Sequence, residues 1–104
     1  MNSNINNNLK VVVLVSGEGS TFKSIINAVN HDLLAINIVG VVSNRSAEQH
    51  EELRQLSYDN GVPMENINMV DYPNRLDFEN RLHFHLLSLN PDLIVLAGWD
   101  LILP

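Results

Sequence analysis

The amino-acid sequence predicts a doubly wound α/β domain, in which helices cover both faces of a parallel sheet. Several short runs are apolar and β-branched without polar alternation, a pattern typical of strands buried on both faces. Between these runs, apolar residues recur at the spacing of amphipathic helices. Because strands separated by helices run parallel with right-handed crossovers, the predicted order is β-α-β-α-β-α-β. In such a fold, ligands bind at the carboxyl ends of the strands.

The first strand is predicted at residues 11–15, an apolar run that is β-branched except at Leu14. Gly17 and Gly19 interrupt the run, and a helix is predicted to begin near Ser20. Its apolar residues have the spacing i, i+3, i+4 and i+7: Phe22, Ile25, Ile26 and Val29. A further β-branched run predicts the second strand at residues 36–42.

The second helix has weaker signals. Ser46 and Gln49 have the spacing of a capping box, and Gly61 marks the end of a helix that runs to Asn60. The apolar stripe of this helix is thin, since it contains only Leu53 and Leu56. A short, poor strand is expected within residues 62–70.

The third helix and the fourth strand complete the pattern. Asn90 and Pro91 close a helix whose apolar residues lie at helical spacing: Phe78, Leu82, Leu86 and Leu89. The fourth strand is predicted at residues 93–97, where it is apolar on both faces. We therefore expect this strand to be covered above and below.

Composition limits the class of protein. The 104 residues suffice for one domain, predicted at 9–104, and residues 1–8, five of which are Asn, are predicted to form a disordered tail. The chain contains no cysteine, which excludes disulfides and thiolate zinc sites. It begins without the basic start and apolar stretch of a secretory signal, and no apolar run has the roughly 18 residues of a membrane span. We expect a cytoplasmic protein without a membrane partner.

The charge balance argues against nucleic acid as a partner. Six Lys and Arg residues face twelve Asp and Glu residues, so the net charge is −6. The basic residues are scattered along the chain, and an acidic protein without a basic patch repels a nucleic-acid backbone. Any bound anion would be held by local geometry, such as backbone amides at the start of a helix.

The sharpest functional signal is the segment between the first strand and the first helix, Ser16-Gly17-Glu18-Gly19-Ser20-Thr21. The start of a helix presents unpaired N–H groups and the positive end of the helix dipole. Glycines allow a phosphate to approach the backbone closely, and hydroxyl groups add donors. This pattern favours a phosphate site, and the alternative is a tight turn in which Ser20 caps the helix.

A single phosphate monoester fits this turn better than a nucleotide with several phosphates. The Gly-Lys-Ser/Thr of a Walker loop is absent. A dinucleotide fingerprint would need a third glycine where Phe22 stands and an acid at the end of strand two, where Asn44 and Arg45 lie. A domain of the NADP type stays open as an alternative, because Arg45 would suit a 2′-phosphate.

The segment VVVLVSGEGSTF resembles the opening of the phosphoribosylglycinamide formyltransferases, the folate-dependent enzymes of purine synthesis. Further matches keep the family's order: VVSN closing strand two, NGVP at 60–63, Arg75, and PDLIVLAGW at 91–99. Trp99 with Leu101, Ile102 and Leu103 is most similar to the fungal branch. Related transfer-RNA formyltransferases open with a Gly-Thr-Pro turn, and formyltetrahydrofolate deformylases have a His-Cys pair there. The resemblance covers residues 9–104 and implies the N-terminal half of a Rossmann-like formyltransferase fold.

The resemblance implies two sets of binding residues. Gly19, Ser20 and Thr21 would hold the ribose phosphate of glycinamide ribonucleotide, with Thr21 in place of the family's usual Asn. Arg75 would belong to the site of 10-formyltetrahydrofolate, the co-substrate, unless it is only a solvated charge in a first helical turn. Four residues match a loop whose backbone meets the pterin ring: Asp100, Leu101, Ile102 and Leu103.

The resemblance also implies that the catalytic Asn, His and Asp lie beyond strand four, so none is expected among these 104 residues. The histidines do not replace them. His83 and His85 are two apart on a helix and face different sides, whereas His31 and His50 are interpreted as loop and surface positions. No metal-ligand spacing is present, so no metal is expected.

Two further expectations concern partners and function. Besides formyl transfer to glycinamide ribonucleotide, a non-catalytic module that binds a sugar phosphate or nucleotide remains an alternative. In the family that the chain resembles, strand four is an interior strand. No Pro or Lys within residues 93–97 discourages pairing, so we expect the chain either to self-associate through the outer edge of this strand or to need the other half of the family's fold for solubility.

Overall fold

The computed structural model describes residues 8–17, 19–45 and 50–99. The elements are β1 (Leu9–Val15), α1 (Ser20–Asn30), β2 (Ile36–Ser43), α2 (Glu51–Asp59), β3 (Met64–Asn66), a short 3-10 helix (Met69–Asp71), α3 (Arg75–Leu89) and β4 (Leu93–Ala97). This order confirms the predicted β-α-β-α-β-α-β and adds a 3-10 helix that the sequence pattern did not predict. Among the described residues, no helix is long and apolar enough to cross a lipid bilayer.

Residues 1–7 of the predicted tail lie outside the described residues, and so does the capping box of Ser46 and Gln49. In the described part, α2 begins at Glu51 with His50 as its N-cap. The helix ends at Asp59, and Gly61 follows with a φ of 68°, which agrees with the predicted stop.

The four strands form one parallel sheet in the order β3-β2-β1-β4. The chain moves outward from β1 to β3 and then returns to place β4 on the opposite side of β1. The strand order therefore reverses between β1 and β4. This reversal is the topological switch point, beside which open α/β sheets bind their ligands.

Both faces of β1 are covered, because its side chains alternate between two apolar clusters. One cluster joins β1 to helices α1 and α2: Val11, Val13, Val15, Phe22, Ile26 and Leu53. The other joins β1 to α3: Val12, Leu14, Phe78 and Leu82. All of these side chains are buried, which explains why the first strand is apolar at consecutive positions. The predicted doubly wound α/β class is confirmed.

Strand β4 forms where it was predicted, but it is not covered as expected. Leu93, Ile94 and Leu96 are 48%, 36% and 52% exposed, and Ala97 is the buried end of the strand. In the described part of the chain, β4 pairs with β1 alone. The helices pack mainly over β1 and β2. The apolar side chains of β4 are therefore left partly exposed.

Candidate functional site

The turn after β1 depends on a glycine at position 19. Gly19 is the N-cap of α1 and has a φ of 84°, in the left-handed region that side chains disfavour. A Cβ atom built on Gly19 would also lie 3.1 Å from Cδ1 of Leu53 in α2. The left-handed backbone conformation therefore favours glycine here, and the contact with Leu53 leaves little room for a side chain.

The first turn of α1 has no side-chain cap. Gly19 has no side chain to accept a hydrogen bond, and Ser20 is the first helical residue, so the alternative in which Ser20 caps the helix is wrong. Helix α3 differs, because Oδ1 of Asn74 accepts a hydrogen bond from the backbone N–H of Asp77 at 2.9 Å. Uncapped N–H groups at the start of α1 are suited to an anion. Ser20 and Thr21 are exposed beside them.

The turn lies beside the end of β4. Val15 pairs with Ala97, and a Cβ atom on Gly98 would lie 4.0 Å from the backbone N of Gly17. Gly98 has a φ of 75°, so the chain leaves β4 through a conformation that favours glycine. The two glycine-bearing turns thus flank the switch point. The predicted folate loop, Asp100 to Leu103, follows directly in sequence and lies outside the described residues.

Arg75 is the first residue of α3, which agrees with the first helical turn of the alternative interpretation as a solvated charge. Its side chain is exposed, and Nε donates a hydrogen bond to Oε2 of Glu79 at 2.7 Å, one turn along the helix. Such an exposed i, i+4 ion pair contributes about 0.3–0.5 kcal/mol. Because α3 follows a parallel strand, its first turn lies at the carboxyl edge of the sheet, the same edge as the turn after β1.

A buried polar group behind the turn was missed by sequence reasoning. The interpretation of His50 as a surface residue is wrong, because its side chain is only 6% exposed. One ring nitrogen, Nε2, lies 2.5 Å from the carbonyl oxygen of Gly17, and the other, Nδ1, is hydrogen-bonded to Oγ of Ser43. Ser43 is fully buried at the end of β2. The only sequence signal is a histidine at the start of a helix that follows a strand.

Further polar side chains join the ends of β2 and β3. Nδ2 of Asn66 donates to the carbonyl oxygen of Arg45 at 3.0 Å, and Oδ1 of Asn66 accepts from Nη2 of Arg54 at 2.7 Å. Nη1 of Arg45 donates to Oδ1 of Asn44 at 2.9 Å. Arg45, the residue that a 2′-phosphate would need, is therefore engaged with the neighbouring amide. The carboxyl edge of the sheet is held together by side chains as well as by backbone pairing.

A groove of about 750 Å³ lies between the start of α1 and helix α2. Gly19, Ser20 and Lys23 line one part of it. Its other lining residues include three carboxylates: Glu51, Glu52 and Asp59. These carboxylates repel a phosphate, so the crevice at the switch point suits an anion better than this groove does.

The remaining histidines are not arranged for chemistry. His31 and His83 are exposed, and His85 lies half-buried on α3. Burial lowers the pKa of His85 below its ordinary value, with Glu65 opposing the shift and Arg81 adding to it. Within residues 8–17, 19–45 and 50–99, no group of three His, Asp or Glu side chains has the geometry of a metal site.

The family follows from comparison of the whole sequence with known proteins. A family model described as formyl transferase matches residues 9–104. The chain belongs to the formyl transferase family. The resemblance inferred from the sequence motifs is thereby confirmed.

Relatives of the chain include the phosphoribosylglycinamide formyltransferases of Haemophilus influenzae and Saccharomyces cerevisiae. Each is 32% identical and aligns with 90% of the chain, which spans 43% and 50% of their lengths. The chicken trifunctional purine biosynthetic protein adenosine-3 is 34% identical over 93% of the chain, which spans 9% of that protein. The equal identity of the bacterial and yeast enzymes does not single out the fungal branch.

A solved structure shows the same fold. The phosphoribosylglycinamide formyltransferase of Coxiella burnetii, determined in complex with CHES, superposes with a TM-score of 0.82 at 36% identity. The match covers 93% of this chain and 44% of the Coxiella protein. The chain therefore spans less than half of that solved relative.

Proposed function

We propose that this chain forms the substrate-phosphate half of a phosphoribosylglycinamide formyltransferase. The reaction would transfer the formyl group of 10-formyltetrahydrofolate to the amine of glycinamide ribonucleotide in de novo purine biosynthesis. The observation that carries this proposal is the uncapped, glycine-led start of α1 at the switch point of the sheet. Relatives with that activity at 32% and 36% identity support the choice of substrate.

In this proposal, Gly19, Ser20 and Thr21 hold the ribose phosphate. The exposed hydroxyl groups of Ser20 and Thr21 add donors to the backbone N–H groups of the first helical turn. Thr21 replaces the Asn that is usual in the family, which is compatible with binding through the backbone. A phosphate monoester needs no cluster of basic side chains when a helix start supplies the donors.

The formyl-folate part of the proposal involves Arg75 and residues 100–103. The position of Arg75 at the carboxyl edge of the sheet supports it, and so does the sequence of the loop after β4. No metal is proposed, since the folate co-substrate carries the formyl group. The resemblance implies that the catalytic Asn, His and Asp lie beyond strand four. The 104-residue chain by itself should therefore show no formyl transfer.

Four predictions about setting and partners belong to the same proposal. The acidic net charge of −6 supports the expectation that nucleic acid is not a partner. A cytoplasmic location and the absence of a membrane partner stay predictions. Self-association through β4 is proposed because Leu93 and Leu96 are about half exposed at the outer strand of the sheet.

Binding of glycinamide ribonucleotide to the chain tests the phosphate site. The informative variant is Gly17→Ala, because a Cβ atom there meets no other atom within 4 Å and so leaves the free protein unstrained. We expect titration calorimetry to show binding by the wild type and at least about tenfold weaker binding by Gly17→Ala, since a methyl group hinders close approach to the turn.

Ser24→Ala is the matched control, because Ser24 is exposed on α1 and its hydroxyl donates only to the carbonyl oxygen of Ser20 at 3.1 Å. Its affinity should equal that of the wild type. Titration with NADP separates the dinucleotide alternative. Binding of NADP in preference to glycinamide ribonucleotide, or no response to Gly17→Ala, would contradict the proposed site.

A further inference from the structure

His50 connects three segments at the carboxyl edge of the sheet. Its side chain is buried between the turn after β1 and the end of β2, and its backbone forms the N-cap of α2. Both ring nitrogens have protein partners, the carbonyl oxygen of Gly17 and the hydroxyl of Ser43. A histidine engaged at both nitrogens is not available as a metal ligand or as a proton carrier to a ligand. Its hydrogen bonds indicate that it holds these segments in place relative to one another.

The hydrogen-bond partners determine which nitrogen carries the proton. A carbonyl oxygen can only accept, so Nε2 must donate its N–H to Gly17. In the neutral ring, Nδ1 is then an acceptor, and the hydroxyl of Ser43 donates to it. The oxygen of that hydroxyl is free to accept, and it does so from the backbone N–H of Arg45 at 3.1 Å. The hydrogen bonds therefore form a chain with one direction: the N–H of Arg45 donates to Ser43, Ser43 donates to His50, and His50 donates to Gly17.

We propose that His50 is a positioning residue for the phosphate-binding turn. It holds the carbonyl group of Gly17 in place, and through Ser43 it couples this turn to the rigid end of β2. The proposal rests on the proposed function of residues 17–21. His50 lies outside the glycine motif and affects how tightly the motif binds its ligand.

Two physical effects make this contact relevant to an anion. A carbonyl oxygen carries partial negative charge, so one that is fixed on a buried N–H donor is kept from turning toward a bound phosphate. Gly17 is also exposed, and its Cβ position contacts nothing, so side-chain packing does not restrain it. Tethering its carbonyl group lowers the conformational entropy that the turn loses when a ligand binds.

Three variants separate a role of His50 in positioning the turn from a general effect on the fold. His50→Phe removes both hydrogen bonds and keeps a ring, and we expect it to weaken binding of glycinamide ribonucleotide about tenfold, as the loss of a buried hydrogen bond implies. His50→Gln retains an amide N–H near Nε2 and should recover affinity to within about threefold of the wild type. The control is His31→Phe, the same substitution at an exposed position at the end of α1, and it should bind like the wild type.

The tautomer gives a second readout that needs neither a variant nor a ligand. Nitrogen-15 NMR of the wild-type ring should show Nε2 protonated and Nδ1 bare. The opposite tautomer would break the chain of hydrogen bonds and overturn the inference, even if His50→Phe failed to fold.

The binding results distinguish the two proposals. If the wild type binds neither glycinamide ribonucleotide nor inorganic phosphate, the proposed function fails and the role of His50 fails with it. If the wild type binds and a folded His50→Phe binds equally well, the phosphate site stands and the positioning role alone is wrong. Circular dichroism of each variant establishes that it is folded.

Discussion

At the scale of single residues, two glycines of one turn have different reasons to be glycine. Gly19 has a positive φ and packs close to Leu53, so the fold itself requires it. Gly17 has neither constraint, and a Cβ atom there would meet open space. A glycine that folding does not require is the better reporter of ligand approach. This difference is the reason for choosing Gly17→Ala to test the phosphate site.

His85 gives a prediction about pH at the same scale. Its pKa is lowered in the folded protein, chiefly by burial, so the fold favours the neutral ring. Above the ordinary value of 6.5, both the folded and the unfolded chain hold it neutral. As the pH falls below 6.5, the unfolded chain takes up the proton first, and stability decreases until the folded pKa is passed.

His85→Gln should remove the contribution of this histidine to the pH dependence of the free energy of unfolding. Urea unfolding of the wild type and the variant between pH 8 and pH 5 measures it, and the difference between the two curves isolates His85 from the other histidines. We expect the wild type to lose more stability than the variant on acidification. A difference that is flat or of opposite sign would show that burial does not favour the neutral ring.

At the scale of elements, β2 and α3 approach each other closely at a glycine. The pairing of β1 with β2 shifts between Val11 and Val12, whose partners are Ile38 and Gly40. Val39 is therefore an extra residue in β2, in the manner of a β-bulge. A Cβ atom on Gly40 would lie 2.7 Å from Cδ1 of Leu89, in the last turn of α3. The missing side chain allows the helix end to approach the strand.

Gly40→Ala should therefore destabilise the fold by at most about 1 kcal/mol, because the atom that the new methyl group meets is the far end of a flexible, partly buried Leu side chain that can shift. Gly17→Ala is the control, with an expected change within about 0.5 kcal/mol because its Cβ position is open. Urea denaturation measures both. Equal stability of the two variants would mean that Leu89 moves aside at no cost.

At the scale of the whole molecule, the sheet is well covered at its centre and poorly covered at β4. The strand is apolar along its length, yet three of its five side chains are at least 36% exposed. An outer strand with exposed apolar side chains is a site for pairing with another chain. The proposed self-association follows from this imbalance.

Light scattering over a range of protein concentrations tests self-association through β4. The apparent mass should rise from 11.7 kDa, the mass of one chain, as concentration increases. Leu96→Glu should weaken association about tenfold or more, since it places a charge in the contact. Leu33→Glu is the matched control, because Leu33 is 77% exposed and belongs to the loop between α1 and β2, not to β4. A wild type that stays monomeric, or equal effects of the two variants, would contradict the proposal.

The order of the α-helices and strands, and the glycine turn before α1, were determined by the sequence alone. They depend on local signals, such as the unbroken apolar run of β1 and the spacing of Phe22 and Ile26. The site residues at 100–103 were reached through resemblance alone, and their placement stays a prediction.

Only the tertiary structure decided which segments meet. The position of β4 next to β1, the burial of His50 and the exposure of Leu96 all depend on contacts between parts of the chain distant in sequence. A histidine at a helix start has the same local pattern whether it is exposed or bonded to Gly17, so periodicity could not distinguish them. An apolar strand likewise predicts that both of its faces are buried, but only the packing of the helices shows which strands they bury.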